Sequence, residues 1–157
     1  MHTLRDTHHT QNDIATSFWN KVSLLAKTGK IISIDKVKDE IYNKNDSLED
    51  WCRSNLPDNF FKDSAEVMAE YGSVVAWAMS MNHHYLPNAL NEFMDVDEAD
   101  AFLIAYTLAD SSNRILVTQE VSAPQRKNKI KMPDCCDSLG VIHTSTIEMF
   151  RQLGETF

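Results

Sequence analysis

An α/β fold is predicted by three features of this 157-residue chain. A short apolar run, Ile31-Ile32-Ser33-Ile34, feeds straight into a helix, a second, Ile115-Leu116-Val117-Thr118, follows a helix that is apolar nearly all round, and the chain is long enough for one full core. At this length roughly 68–70% of the unfolded chain's surface can be buried without metals or disulfides. With 43% hydrophobic residues the chain is too apolar to be disordered, and it contains neither repeats nor low-complexity tracts. A single domain over residues 1–157 is therefore expected, with 1–12 as an atypical or truncated amino-terminal segment.

The first helix is marked by a cap at Asp13, by Ile14, Phe18, Val22 and Leu25 at spacings of four, four and three, and by a stop at Gly29. After the run Ile31 to Ile34, Asp35 is expected to cap a helix whose buried stripe is Val37 and Ile41, with Glu40 beside the stripe and Asp39 opposite. Ser47 opens a short amphipathic helix ending before Pro57. Ser64 opens a longer one through Met68, Tyr71, Val75 and Met79, whose stripe is expected in the core, ending near Asn82. Pro87 suits the first turn of another helix carrying Leu90 and Phe93. Ala99 to Ala109 is apolar on nearly every side, so it should be buried, with the acids Asp95, Asp97, Glu98 and Asp100 at its start. Past the strand Ile115 to Thr118 come a basic stretch, Pro133, a helical turn from Cys135 to Leu139, Gly140 and a brief strand at Val141-Ile142. Ser145 and Glu148 form a capping box for the last helix, which Gly154 ends.

The net charge of −8 argues against a protein that holds nucleic acid by overall charge. Phosphate chemistry would then need a metal ion. Arg126, Lys127, Lys129 and Lys131 reverse the sign locally, as a solvated loop would. Cys52, Cys135 and Cys136 are odd in number and lack a C-x-x-C spacing, so reduced thiols are expected. No run approaches the roughly 20 apolar residues of a membrane span, and the polar start is no signal peptide; a cytoplasmic location is expected. His8-His9 and His83-His84 cannot chelate as adjacent pairs, no nucleophilic triad is evident, and the four glycines form no phosphate loop.

Ligands in open α/β sheets gather beyond the carboxyl ends of strands. Three acids fit that place: Glu40, one turn past Ile34; Asp100, opening the buried helix; and Glu120, two residues past Thr118. Clustered carboxylates at such positions hold magnesium or manganese and leave coordination open to phosphate. Each acid also has a plainer reading. Asp97 and Asp100 suit the positive end of a helix dipole, Glu40 can pair with Lys36 at i−4, and Glu120 can be a solvated strand end.

The order Ser33-Ile34-Asp35-Lys36-Val37 with Asp39-Glu40-Ile41, then Ala99-Asp100-Ala101-Phe102-Leu103-Ile104-Ala105, then Val117-Thr118-Gln119-Glu120 resembles the PIN-like nucleases. It is similar in particular to an uncharacterised PIN-like subfamily that also carries a Phe18-Trp19 helix, the Lys129-Ile130-Lys131-Met132-Pro133-Asp134 run and an ending like Glu148 to Gly154. The resemblance covers residues 14–157. It implies a three-layer α/β/α sandwich around a mostly parallel sheet, whose carboxylates bind Mg2+ or Mn2+ and cut RNA, often as the toxin of a bacterial toxin–antitoxin pair. Carried over by motif, Glu40, Asp100 and Glu120 are the catalytic metal ligands, Glu120 standing where the family usually has Asp. Lys127, Lys129 and Lys131 would guide the strand.

The resemblance departs at the amino end. PIN-like proteins begin with an apolar strand ending in Asp-Thr or Asp-Ser, central in the sheet. Here Asp6-Thr7 lies only 19 − 6 = 13 residues before Trp19, behind a poor strand. Either the chain is truncated there, or Thr3 to Thr7 makes a makeshift strand with Asp6 as the acid. Loss of a central strand would leave backbone groups unpaired on both neighbours and impair activity. The expected partners are RNA, an antitoxin protein and a second copy of the chain. The rival expectations are a catalytically inactive PIN-like protein that acts by protein–protein binding, and an α/β domain whose acids only cap helices.

Overall fold

The structure, a computed structural model, describes residues 13–154. Asp6, the Thr3 to Thr7 segment and His8-His9 lie outside the described residues, as do the side chains of Asp13 and Ile14.

The fold is mixed α/β with short parallel strands. Helix α1 (Asp13–Lys27) stops at Gly29, whose φ of 76° is the left-handed conformation that a glycine adopts without strain. Strand β1 (Ser33–Ile34) runs into helix α2 (Asp35–Tyr42), which buries Val37 and Ile41. Ile34, not Asp35, occupies the cap position. The Asp35 carboxylate instead accepts from Lys36 N at 3.0 Å and from Ser64 N at 3.1 Å, tying the start of α2 to a segment 29 residues away.

Helix α3 (Ser47–Asn55) is capped by Asp46, which accepts from Glu49 N at 2.9 Å. Strand β2 (Phe61–Lys62) pairs in parallel with β1, in the register Ser33 to Phe61 and Ile34 to Lys62. A 3-10 turn (Ser64–Val67) then leads into α4 (Met68–Ser80). The expected stripe on α4 is wrong at both ends, since Met68 and Met79 are 51% and 58% exposed while Val74 and Ala78 are fully buried. Tyr71 remains in the core, stacked on Phe102 with centroids 4.0 Å apart. The buried face is thus Tyr71, Val74 and Ala78, at spacings of three and four.

Pro87 opens α5 (Pro87–Phe93). Helix α6 (Asp100–Leu108) has every residue from Ala101 to Thr107 buried, as its all-round apolarity requires. It packs mainly on α4 and on α7 (Met132–Leu139). Strand β3 (Leu116–Val117) pairs in parallel with β4 (His143–Thr144), in the register Leu116 to His143 and Val117 to Thr144. β4 therefore lies two residues later than the Val141-Ile142 expected, and α7 starts before Pro133 rather than after it. Proline is tolerated in a first turn because its missing N–H has no partner to lose.

Ser145 caps α8 (Thr146–Gln152), accepting from Glu148 N at 3.2 Å. The return half of the capping box is replaced by an ion pair, Glu148 with Arg151 at 2.9 Å. The β1–β2 and β3–β4 pairs are separate two-stranded sheets. One core cluster lies around α4 and α6, and a second joins Val22, Leu25 and Ala26 of α1 to Phe60 and Phe150. Cys52, Cys135 and Cys136 are free and buried; burial pushes the Cys52 and Cys136 thiols up to about 12 and Cys135 higher still. Among the described residues no helix is long and apolar enough to cross a membrane.

Candidate functional site

The two strand–helix junctions bring the candidate acids together. β1 turns directly into α2, so Glu40 emerges one turn further on, and its Oε1 accepts from Ala99 N at 3.3 Å across 59 residues of sequence. That bond sets the α2 carboxylate against the start of α6, where Asp100 is the first helical residue. β3 ends at Val117, and the Oγ1 of the next residue, Thr118, accepts from Glu120 N at 3.0 Å. The Glu120 carboxylate then folds back, Oε2 accepting from Met132 N at 2.8 Å. This closes the basic stretch between residues 120 and 132 into a loop. Its first turn is held by Asp134, which accepts from Ser122 Oγ and from Ala123 N. Leu86 N donates to Lys127 O at 2.9 Å and fixes the far side of the loop.

Glu40, Asp100 and Glu120 consequently line one pocket of about 340 Å³, together with Lys44, Glu92, Glu98 and Lys129. The expected pairing of Glu40 with Lys36 is displaced, since the Lys36 ammonium lies over the Phe102 ring at 4.9 Å. Lys129 turns inward and pairs with Glu92 at 3.2 Å. Burial pulls its ammonium down, but the hydrogen bond to Glu92 and the charges of Glu92, Asp100 and Glu120 outweigh that and leave it raised. The Glu98 carboxyl is pushed up by desolvation and by the charges of Glu40, Asp100, Asp95 and Glu92. Neighbouring carboxylates contribute to both shifts, after desolvation at Glu98 and alongside the Glu92 hydrogen bond at Lys129. Five carboxylates face two lysines.

Among the described residues, no three His, Cys, Asp or Glu side chains are drawn together as a preformed metal cage. Glu40 and Glu120 each spend one carboxylate oxygen on a backbone N–H, which holds both groups toward the pocket walls. The carboxylates are thus spread around the pocket, with Lys44 and Lys129 among them, rather than gathered on one point.

Sequence reasoning missed Glu92 and Lys44. Lys44 gave no signal, since it lies past the end of α2 at Tyr42 and its place depends on how the chain leaves that helix. Glu92 gave no signal, since its place depends on how α5 docks. Of the other candidates, Lys127 and Lys131 do not line the pocket. His83 is exposed and His84 packs edge-on to Tyr85, consistent with residues at a helix end.

No curated protein and no solved structure matches the chain significantly. A family model described as a domain of unknown function (DUF4411) matches residues 4–157, and the chain belongs to that family.

Proposed function

We propose that this protein is a metal-dependent phosphodiesterase acting on RNA, with Glu40, Asp100 and Glu120 as the ligands of Mg2+ or Mn2+. The observation that carries the reading is the convergence of these three acids, from α2, α6 and the end of β3, on one pocket beyond the carboxyl ends of two strands. The PIN-like sandwich belongs to the same proposal, supported by the parallel pairing of both strand pairs. A role as the toxin of a toxin–antitoxin pair rests on the sequence resemblance alone.

The residues present fit a divalent cation. They offer hard oxygen donors, five carboxylates against two lysines, and desolvation followed by the charges of Glu40, Asp100, Asp95 and Glu92 raises the Glu98 carboxyl. When bound, such a cation supplies the activation of water for in-line attack on phosphorus and offsets charge on the departing oxygen. Glu40 and Glu120 are pre-oriented by Ala99 N and Met132 N, so their carboxylates need little ordering when substrate arrives. Lys129 keeps its proton at neutral pH and places a positive charge in the pocket where an RNA phosphate would sit. Glu98 takes up a proton more readily than an ordinary glutamate and can hold one at the pocket wall.

Cleavage of a mixed RNA by the purified protein with Mn2+, Mg2+ or EDTA tests this. Cutting is expected with Mn2+ or Mg2+, none with EDTA, and Asp100→Asn is expected to lower the rate by about 100-fold or more. Folded protein that cuts nothing, or cutting that survives Asp100→Asn, overturns the proposal.

A further inference from the structure

The loop between residues 120 and 132 is anchored on either side of Lys129. Lys127 O accepts from Leu86 N at 2.9 Å, Ile130 is packed into the core around α4 and α6, and Met132 N donates to Glu120 at 2.8 Å. Lys129 therefore rises from a fixed backbone, and only its flexible stem can move its ammonium. That ammonium is turned into the carboxylate pocket, 3.2 Å from Glu92 Oε1. The lysine is the more enclosed member of the pair, its side chain 32% exposed against 56% for Glu92. A carboxylate as exposed as Glu92 does little by itself to hold a lysine inward. The charges of Asp100 and Glu120 act on the same ammonium. Lys44, the other lysine of the pocket, is exposed.

A single positive charge tethered among acids is a counter-ion that is always present, because the covalent tether spares it the entropy lost by an ion bound from solution. A divalent cation entering the same pocket draws on the same acids and is repelled by that charge. The cation carries twice the charge and takes several oxygens as direct ligands, so it can win the contest at the cost of part of its affinity.

We infer that Lys129 is the built-in counter-ion of the carboxylate pocket, a role that rests on the cation reading of this pocket: in the metal-free protein its ammonium offsets acids that a divalent cation takes over, and binding of the cation releases it. The fixed backbone keeps the released ammonium near the pocket. Lys129 thereby ties its two states together, held on the acids when the cation is absent and free to meet a substrate phosphate when the cation is bound.

Calorimetric titration of the full chain with MnCl2, at constant ionic strength and pH 7, tests this in the wild type, Lys129→Gln, Lys129→Arg, Lys44→Gln and Glu120→Gln. Lys129→Gln is expected to bind Mn2+ about fivefold or more tightly than the wild type, with Lys129→Arg and Lys44→Gln within about twofold of it and Glu120→Gln weaker. Thermal unfolding supplies a second readout that a merely structural lysine would not move. Lys129→Gln should melt below the wild type without divalent cation, and the deficit should shrink in saturating MnCl2. Wild-type binding that Glu120→Gln weakens, with no gain in Lys129→Gln, overturns the inference and leaves the cation site standing. An equal gain in Lys129→Arg or in Lys44→Gln also overturns it, as does a melting deficit that Mn2+ leaves unchanged. No binding by any of the five proteins overturns the cation reading and the inference together.

Discussion

Glu98 holds its proton more tightly than an ordinary glutamate because desolvation and the charges of Glu40, Asp100, Asp95 and Glu92 all oppose its ionisation. A folded-state value above the ordinary 4.5 means that its contribution to stability is full below that value and lost as pH rises through the raised one. At about pH 7 ionised Glu98 is therefore a cost to the fold. Glu98→Gln should stabilise the metal-free protein at that pH by less than about 1 kcal/mol, since the side chain is exposed and screened. The gain should vanish below about pH 4, where the glutamate is itself neutral. Urea unfolding at the two pH values checks both halves, and an equal gain at both would mean that charge is not the cause. The three candidate acids could be picked out because an acid just past a strand, or opening a buried helix, is a local pattern. Glu92 and the inward turn of Lys129 were not, because they depend on where α5 and the 120–132 loop dock.

At the scale of elements, the sequence was most legible where a single physical requirement dominated. Helix α6 had no polar face, so burial was its only outcome, and Ala101 to Thr107 are all buried. Helix α4 is apolar on several sides, and its sequence therefore left the face undecided. Met68 and Met79 looked like core by type, but the stack of Tyr71 on Phe102 and the close fit of Val74 and Ala78 rotate them to solvent. β2 was missed because Phe61-Lys62 is too short to show alternation, and β4 was misplaced because its pairing with β3, not its own apolarity, decides which residues are extended. Two substitutions measure the difference. Ile104→Ala, at a position with no exposure, should cost about 2–5 kcal/mol, whereas Met79→Gln should change stability by no more than about 0.5 kcal/mol. Chemical denaturation of the two variants checks this, and a large loss at Met79 would show that the exposed face of α4 is covered in solution.

At the scale of the whole molecule, a net charge of −8 sits on a chain whose densest acid cluster faces one pocket. Self-repulsion of those carboxylates, offset in part by Lys44 and Lys129, is a cost that a bound divalent cation would lower further, since monovalent salt screens exposed charges more effectively than a partly enclosed pocket. A ligand that binds only the folded state stabilises it by about 2.7 kcal/mol at 100 times its Kd. For a domain of this size that corresponds to a rise in Tm of roughly 5–11 °C. Thermal unfolding in MgCl2 or MnCl2 should therefore give a higher Tm than NaCl of equal ionic strength. The excess should shrink in Glu40→Gln and in Glu120→Gln, each of which removes a charge while keeping an oxygen that can accept the hydrogen bond from Ala99 N or Met132 N. Because the measurement needs no RNA, it separates the cation site from the reaction assigned to it. Equal melting in the divalent and monovalent salts would leave the carboxylates as a feature of the surface charge and remove the basis for metal-assisted hydrolysis.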